Sequence, residues 1–134
     1  MDRTVEILDT TLRDGRQNIR ATISEPDMME LVKMLDDFGV QIIELGFPSR
    51  SSKDMKAFKD VRNLGLKNSK ISAFGMTRRK GISVDKDPNL ACLVETQAEV
   101  VTLFGKADPL HVTAELGAKP EENLDMIYDS ISYL

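Results

Sequence analysis

The sequence has one cysteine, one histidine, no bilayer-length apolar run and no excess of positive charge. With Cys92 alone there is no internal disulfide to form, and a reducing cytoplasm is the expected setting. With His111 alone, no site needing two imidazoles can be completed from within these residues. The stretch MDRTVEILD, Met1 to Asp9, mixes charges where a signal peptide would carry its apolar segment, so a membrane is not an expected partner. Lys and Arg number 18 against 22 Asp and Glu, a formal net charge of -4, which gives no reason to expect nucleic acid or an anionic surface. Small metabolites remain open as ligands.

What is present is globular: 41% hydrophobic and 30% charged residues over 134 positions, enough for one domain with a real core. Strand-like and helix-like segments alternate. TVEILD (4 to 9) is β-branched and apolar. Ser24 with the following EPD predicts a helix start, Met28, Leu31, Val32, Leu35 and Phe38 recur at helical spacing, and Gly39 supplies the stop. VQIIELGF (40 to 47) and SSKDMKAFKDVRNLG (51 to 65) form a second strand and helix, the latter with Met55, Phe58, Val61 and Leu64 on one face. KISAFGM (70 to 76) and PNLACLVET (88 to 96) form a third pair. EVVTLFGK (99 to 106), the helix-like HVTAEL, and EENLDMIYDSISYL (121 to 134), with Leu124, Ile127, Tyr128, Ile131 and Leu134 in register, make the fourth unit.

Four βα units in succession predict a parallel α/β sheet, because each helix supplies the crossover that parallel pairing requires. No polar linker interrupts them, so residues 1–134 are expected to form one unit. A closed (β/α)8 TIM barrel takes about 250 residues. The expected fold is therefore the N-terminal half of such a barrel, with an open doubly wound sheet as the alternative; the last helix has no stop signal, which favours a chain cut short.

In either arrangement the ligand site forms at the carboxyl ends of the strands. There the sequence places TTLRDGRQ after the first strand, Glu44 and GFPSRSSKD at the second, MTRRKG after the third and GKADPLH after the fourth. Adjacent Arg13 and Asp14 are expected to diverge and serve different parts of one ligand. A carboxylate leaving a strand end suits a hard divalent cation, and a guanidinium suits the oxygens of a keto acid. The plainer reading is that Asp14 and Gly15 form a turn while Asp9 and the threonines cap backbone groups. The run from Thr77 to Gly81 could attract carboxylates or phosphates, or could be only a solvated surface. Cys92 reads as a small buried residue, and His111 as a polar residue near a helix start.

The string DTTLRDGRQ resembles the N-terminal signature of the DRE-TIM metallolyase family, and the likeness continues through IIELGFPSRSSKD, KISAFGMTRRKGI, DPNL, VVTLFGK, LHVT and EENLDMIYDSISYL. FGMTRRKG and the run from VVTLFGK onward are most similar to its citramalate synthase branch. The resemblance implies an acyltransferase that condenses acetyl-CoA with the 2-keto acid pyruvate in isoleucine biosynthesis, as a cytoplasmic homodimer. It implies that Arg13 polarises the keto oxygen, that Asp14 is a ligand of a divalent metal (magnesium, manganese or zinc), and that Glu44 holds Arg13 by an ion pair. By the same resemblance Gln17 lines the pocket, and Thr77 and Arg78 are expected to bind substrate.

Three features depart from the family pattern. Arg16 adds a positive charge beside the expected metal site, LGFPSR replaces a Gly-Gly-Trp-Pro-Gly-type segment after Glu44, and the His-x-His pair that completes the family's metal site is absent. The family's catalytic base also comes from later sequence. The isolated chain is therefore expected to be inactive. Isopropylmalate synthase, homocitrate synthase and hydroxymethylglutaryl-CoA lyase activities stand as alternatives, and so does a non-catalytic half-barrel that pairs with itself.

Overall fold

The computed structural model describes residues 5–17 and 23–134. Its strands are β1 (Leu8–Asp9), β2 (Ile42–Gly46), β3 (Lys70–Met76) and β4 (Val100–Phe104). Its helices are α1 (Glu25–Phe38), α2 (Ser52–Val61), α3 (Pro88–Thr96), α4 (Pro109–Leu116) and α5 (Pro120–Tyr133). All neighbouring strands pair in parallel, in the spatial order β1-β2-β3-β4. That order decides between the two expected architectures. A doubly wound sheet reverses its strand order at a switch point, and this one runs on in sequence without reversal, as half of a TIM barrel.

Side chains alternate across a strand, so each strand divides its residues between two faces. Ile43 and Leu45 of β2 and Ile71 and Ala73 of β3 join the core that Met28 and Val32 of α1, Ala57, Phe58 and Val61 of α2, and Leu90 and Leu93 of α3 complete. Full burial of a side chain such as Phe58 stabilises by about 1.5–3 kcal/mol. Gly75 lets α3 lie close, because a Cβ there would come within 2.6 Å of Leu93 Cδ1. The alternate positions, Glu44, Ser72, Phe74 and Thr102, are left to the opposite face, where Ser72 and Thr102 hydroxyls meet at 2.8 Å.

Local signals place the helices. Ser24 forms a capping box with Asp27 at the start of α1, and Gly39 ends it in the left-handed conformation at φ 90°. Ser51, Asp87 and Asp108 cap α2, α3 and α4. Below the sheet, buried Asp36 accepts the backbone N–H groups of Lys67, Asn68 and Ser69 at 2.9, 2.8 and 2.7 Å, tying α1 to the turn before β3.

Two expectations need correction. The first strand was expected over residues 4 to 9, but only Leu8 and Asp9 pair with β2 among the described residues, and residue 4 lies outside them. The apolar register of α5 is mostly outward: Leu124, Tyr128 and Ile131 are exposed, while Asn123, Met126 and Ser130 are buried. Its buried face is set by Arg78, whose backbone N–H donates to Ser130 Oγ at 2.8 Å, and by a small cluster of Val112, Ala118 and Met126.

Candidate functional site

The turn after β1 is built from its own side chains. Asp9 accepts the backbone N–H and the hydroxyl of Thr11, both at 3.0 Å. Thr10 O accepts the N–H groups of Arg13, Asp14 and Gly15. Leu12 is fully buried in the core and pins the loop. The plain turn reading is thus correct for Asp9, Thr11 and the backbone of Asp14, and it is this turn that aims Arg13.

Arg13 reaches across to β2. Its Nε lies 2.5 Å from Glu44 Oε2, and Glu44 is wholly buried. Its Nη1 donates to Asp14 Oδ1 at 2.9 Å. The expectation that Arg13 and Asp14 diverge is therefore overturned: the tight turn brings the two neighbouring side chains together. The guanidinium carbon lies 4.2 Å from the centroid of the Phe74 ring, and Phe47 packs edge-on against that ring at 5.3 Å and 85°. Glu44 Oε1 is buried without a partner among the described residues, and Arg13 donates there through Nε and Nη1, not through Nη2. A cationic edge held in place beside a desolvated carboxylate suits the oxygens of a carbonyl or carboxylate ligand.

Arg16 does not join this group. Its guanidinium turns to Asp54 at 3.1 Å and to the Met28 sulfur, contrary to the expectation of a positive charge added at the metal site. Asp54 also accepts the Phe47 N–H at 2.9 Å, and Gly46 makes room for it, since a Cβ there would lie 2.9 Å from Asp54 Oδ2. This cluster ties the turn after β1 to the start of α2 behind the sheet. Gln17 ends a short 3-10 turn and is exposed.

After β3, Thr77 is buried and donates its N–H to Phe104 O at 3.4 Å. Arg78 lies on Asp129 of α5, Nε at 2.9 Å and Nη2 at 2.8 Å. Lys80 bonds Gly117 O and lies 3.6 Å from Glu122. Two of the three charges in TRRKG are thus compensated by the α4–α5 side, although Lys80 is exposed as Arg79 is. His111 is exposed on the first turn of α4, as expected of a polar residue near a helix start. Burial raises the pKa of Cys92, with Glu95 adding to the effect, which keeps the thiol protonated and unreactive.

The residues present do not by themselves fit a metal ion. Asp14, with its side chain 63% exposed, offers one carboxylate already shared with Arg13, and no group of three or more His, Cys, Asp or Glu among the described residues could hold a cation. A site needs about three protein ligands.

Comparison with known proteins agrees with the fold. The HMGL-like family model matches residues 4–134. The chain belongs to the HMGL-like family. It is 43% identical to the (R)-citramalate synthase of Aquifex aeolicus (strain VF5) over all 134 residues, which are 25% of that enzyme. It is 33% identical to the 2-isopropylmalate synthase of Caulobacter sp. (strain K31), over 96% of the chain and 24% of that enzyme. The HMG-CoA lyase structure from Brucella melitensis superposes with a TM-score of 0.69 at 20% identity, covering 98% of this chain and 45% of the lyase. The chain spans about a quarter of the length of the curated relatives it matches.

Phe74, Phe47 and Asp54 were not foreseen as parts of the site. The alternation in KISAFGM carried the signal for Phe74, which falls on the face opposite Ile71 and Ala73.

Proposed function

We propose that this chain belongs to an acyltransferase that joins acetyl-CoA to pyruvate, giving citramalate and free CoA. The observation that carries the reading is the buried Glu44–Arg13 pair at the strand ends. It presents a fixed cation where the keto oxygen of pyruvate would gain negative charge as the acetyl carbon adds to it. Arg13 is the group that meets this oxygen, and Glu44 holds Arg13. Gln17, Thr77 and Arg78 are proposed to border the same substrate pocket.

A divalent metal would take Asp14 as one ligand and the rest from outside these residues, and no step is assigned to it. The base that removes the proton from the acetyl methyl group and the water that cleaves the thioester are likewise supplied elsewhere. The higher identity to a citramalate synthase than to an isopropylmalate synthase supports pyruvate over bulkier keto acids. A cytoplasmic homodimer is proposed on the same likeness.

The test is turnover by the longer protein containing this chain, with pyruvate, 2-oxoisovalerate and 2-oxoglutarate compared by CoA release. Pyruvate is expected to give the highest kcat/KM, and the 134-residue chain alone is expected to give none. If pyruvate is the poorest of the three, the substrate assignment fails. A second reading, a half-barrel that pairs with a copy of itself, draws on the exposure of Val5, Ile7, Leu8 and Phe104; size-exclusion chromatography of the isolated chain distinguishes it, since a clean monomer removes that reading.

A further inference from the structure

We propose that Phe74, braced by Phe47, is a positioning residue that fixes the plane of the Arg13 guanidinium. The inference deepens the reading of Arg13 as the group that meets the keto oxygen, and it rests on that reading for its functional meaning.

An arginine side chain has many rotamers open to it, and a single hydrogen bond does not define the plane of its head group. The bond from Nε to Glu44 supplies one fixed point, because Glu44 is fully buried in β2. A guanidinium held only there can still swing about the N–H···O axis. The second partner, Asp14, cannot stop that swing, since it is exposed and sits on the same turn as Arg13 itself.

The missing constraint comes from β3. The guanidinium carbon stands 4.2 Å from the Phe74 ring centroid, within the range where cation and ring face attract. Phe74 is in turn held from the side: the Phe47 ring meets it at 85°, and Phe47 is fixed by its own N–H bond to Asp54 at 2.9 Å. One hydrogen bond and one ring face, coming from two different strands, fix a plane that neither fixes alone. The Nη2 edge then points one way, as an oxyanion-binding donor must before the reaction begins.

Nuclear magnetic resonance of the 134-residue chain tests this without any substrate, so a failed pyruvate assignment would leave the outcome unaffected. The Arg13 15Nε–1Hε group is expected to be as ordered as the strands, with an order parameter of about 0.8, whereas exposed Arg50 falls below about 0.6. Phe74→Leu keeps the volume of an apolar residue and removes the ring face. It is expected to bring Arg13 down to the Arg50 range while the backbone amide shifts of β2 and β4 stay in place. Phe74→Tyr keeps a face and is expected to restore the order. An Arg13 that is already mobile in the unsubstituted chain overturns the proposal, even if Phe74→Leu does not fold. So does an Arg13 that stays ordered in Phe74→Leu, because Glu44 alone would then suffice.

Discussion

Arg13 and Arg78 each follow a strand of this sheet, and they are held in different ways. Arg13 lies on a glutamate with no exposed surface, stacked on a ring, with one carboxylate oxygen of its partner left without a hydrogen bond among the described residues. Arg78 lies on Asp129, whose side chain is 43% exposed, while its own backbone N–H clasps Ser130 of α5. The first arrangement desolvates a charge pair at the strand ends, so that removing one partner alone leaves the other charge buried and uncompensated. The second fastens a helix to a loop in contact with solvent. An arginine at a strand end is therefore not in itself a sign of the group that meets the keto oxygen; what separates the two is the burial of the partner and the element it comes from.

The comparison breaks most sharply at Arg13. Arg13→Met should leave Glu44 buried without its counter-charge and destabilise the chain by about 3–5 kcal/mol at neutral pH. Replacing both partners, Arg13→Met with Glu44→Met, should recover most of that loss, since an apolar pair carries no desolvation cost. Urea unfolding followed by circular dichroism reads both. A single variant within about 1 kcal/mol of the parent would show that Glu44 is not a buried carboxylate dependent on Arg13.

A third carboxylate sharpens the contrast, because Asp36 is buried with only neutral donors around it. Burial pushes its pKa up, but the N–H groups of Lys67, Asn68 and Ser69 and the Ser69 hydroxyl together hold it below the ordinary carboxylate range. The stability this adds is fully present above the ordinary value near 4, and it is lost as pH falls through the lower folded value. Asp36→Asn should cost roughly 1–3 kcal/mol at pH 7 from weakened backbone bonds and should flatten the acid limb of a stability–pH curve below about pH 4. An unchanged acid limb would mean that other carboxylates carry it.

Much of this was legible in the residues, for reasons that differ by element. α3 spans Pro88–Thr96 and β3 Lys70–Met76, the bounds expected from the residues, and the structure shows Asp87 capping α3 by a local bond. The direction of Arg13 across to Glu44 was expected from family resemblance and is borne out as a contact. The aim of Arg16 and Arg78 was not legible, since each partner, Asp54 or Asp129, is 38 or 51 residues away in sequence and no periodicity links them. The outward stripe on α5 was misread for a related reason: a 3.6-residue period says that a helix has an apolar face, not which neighbour covers it. Here that face is covered piecemeal: Arg78 after β3 meets Ser130, Val112 and Ala118 pack on Met126, and Asn123 donates its amide to Lys106 O.

The smallest expected effect lies at Asp129, and it tests the other half of the comparison. An ion pair with one partner this exposed gains little, because water and salt screen it and the long Arg78 side chain must be ordered to form it. Asp129→Asn should cost less than about 1 kcal/mol, and the difference from the parent should shrink further between low and physiological salt. The Arg13–Glu44 difference should be far less sensitive to salt, because that pair is shielded from solvent. Unfolding curves of both variants at two ionic strengths therefore measure the distinction directly. Equal salt sensitivity at the two arginines would remove the ground for assigning the keto oxygen to Arg13 rather than to Arg78.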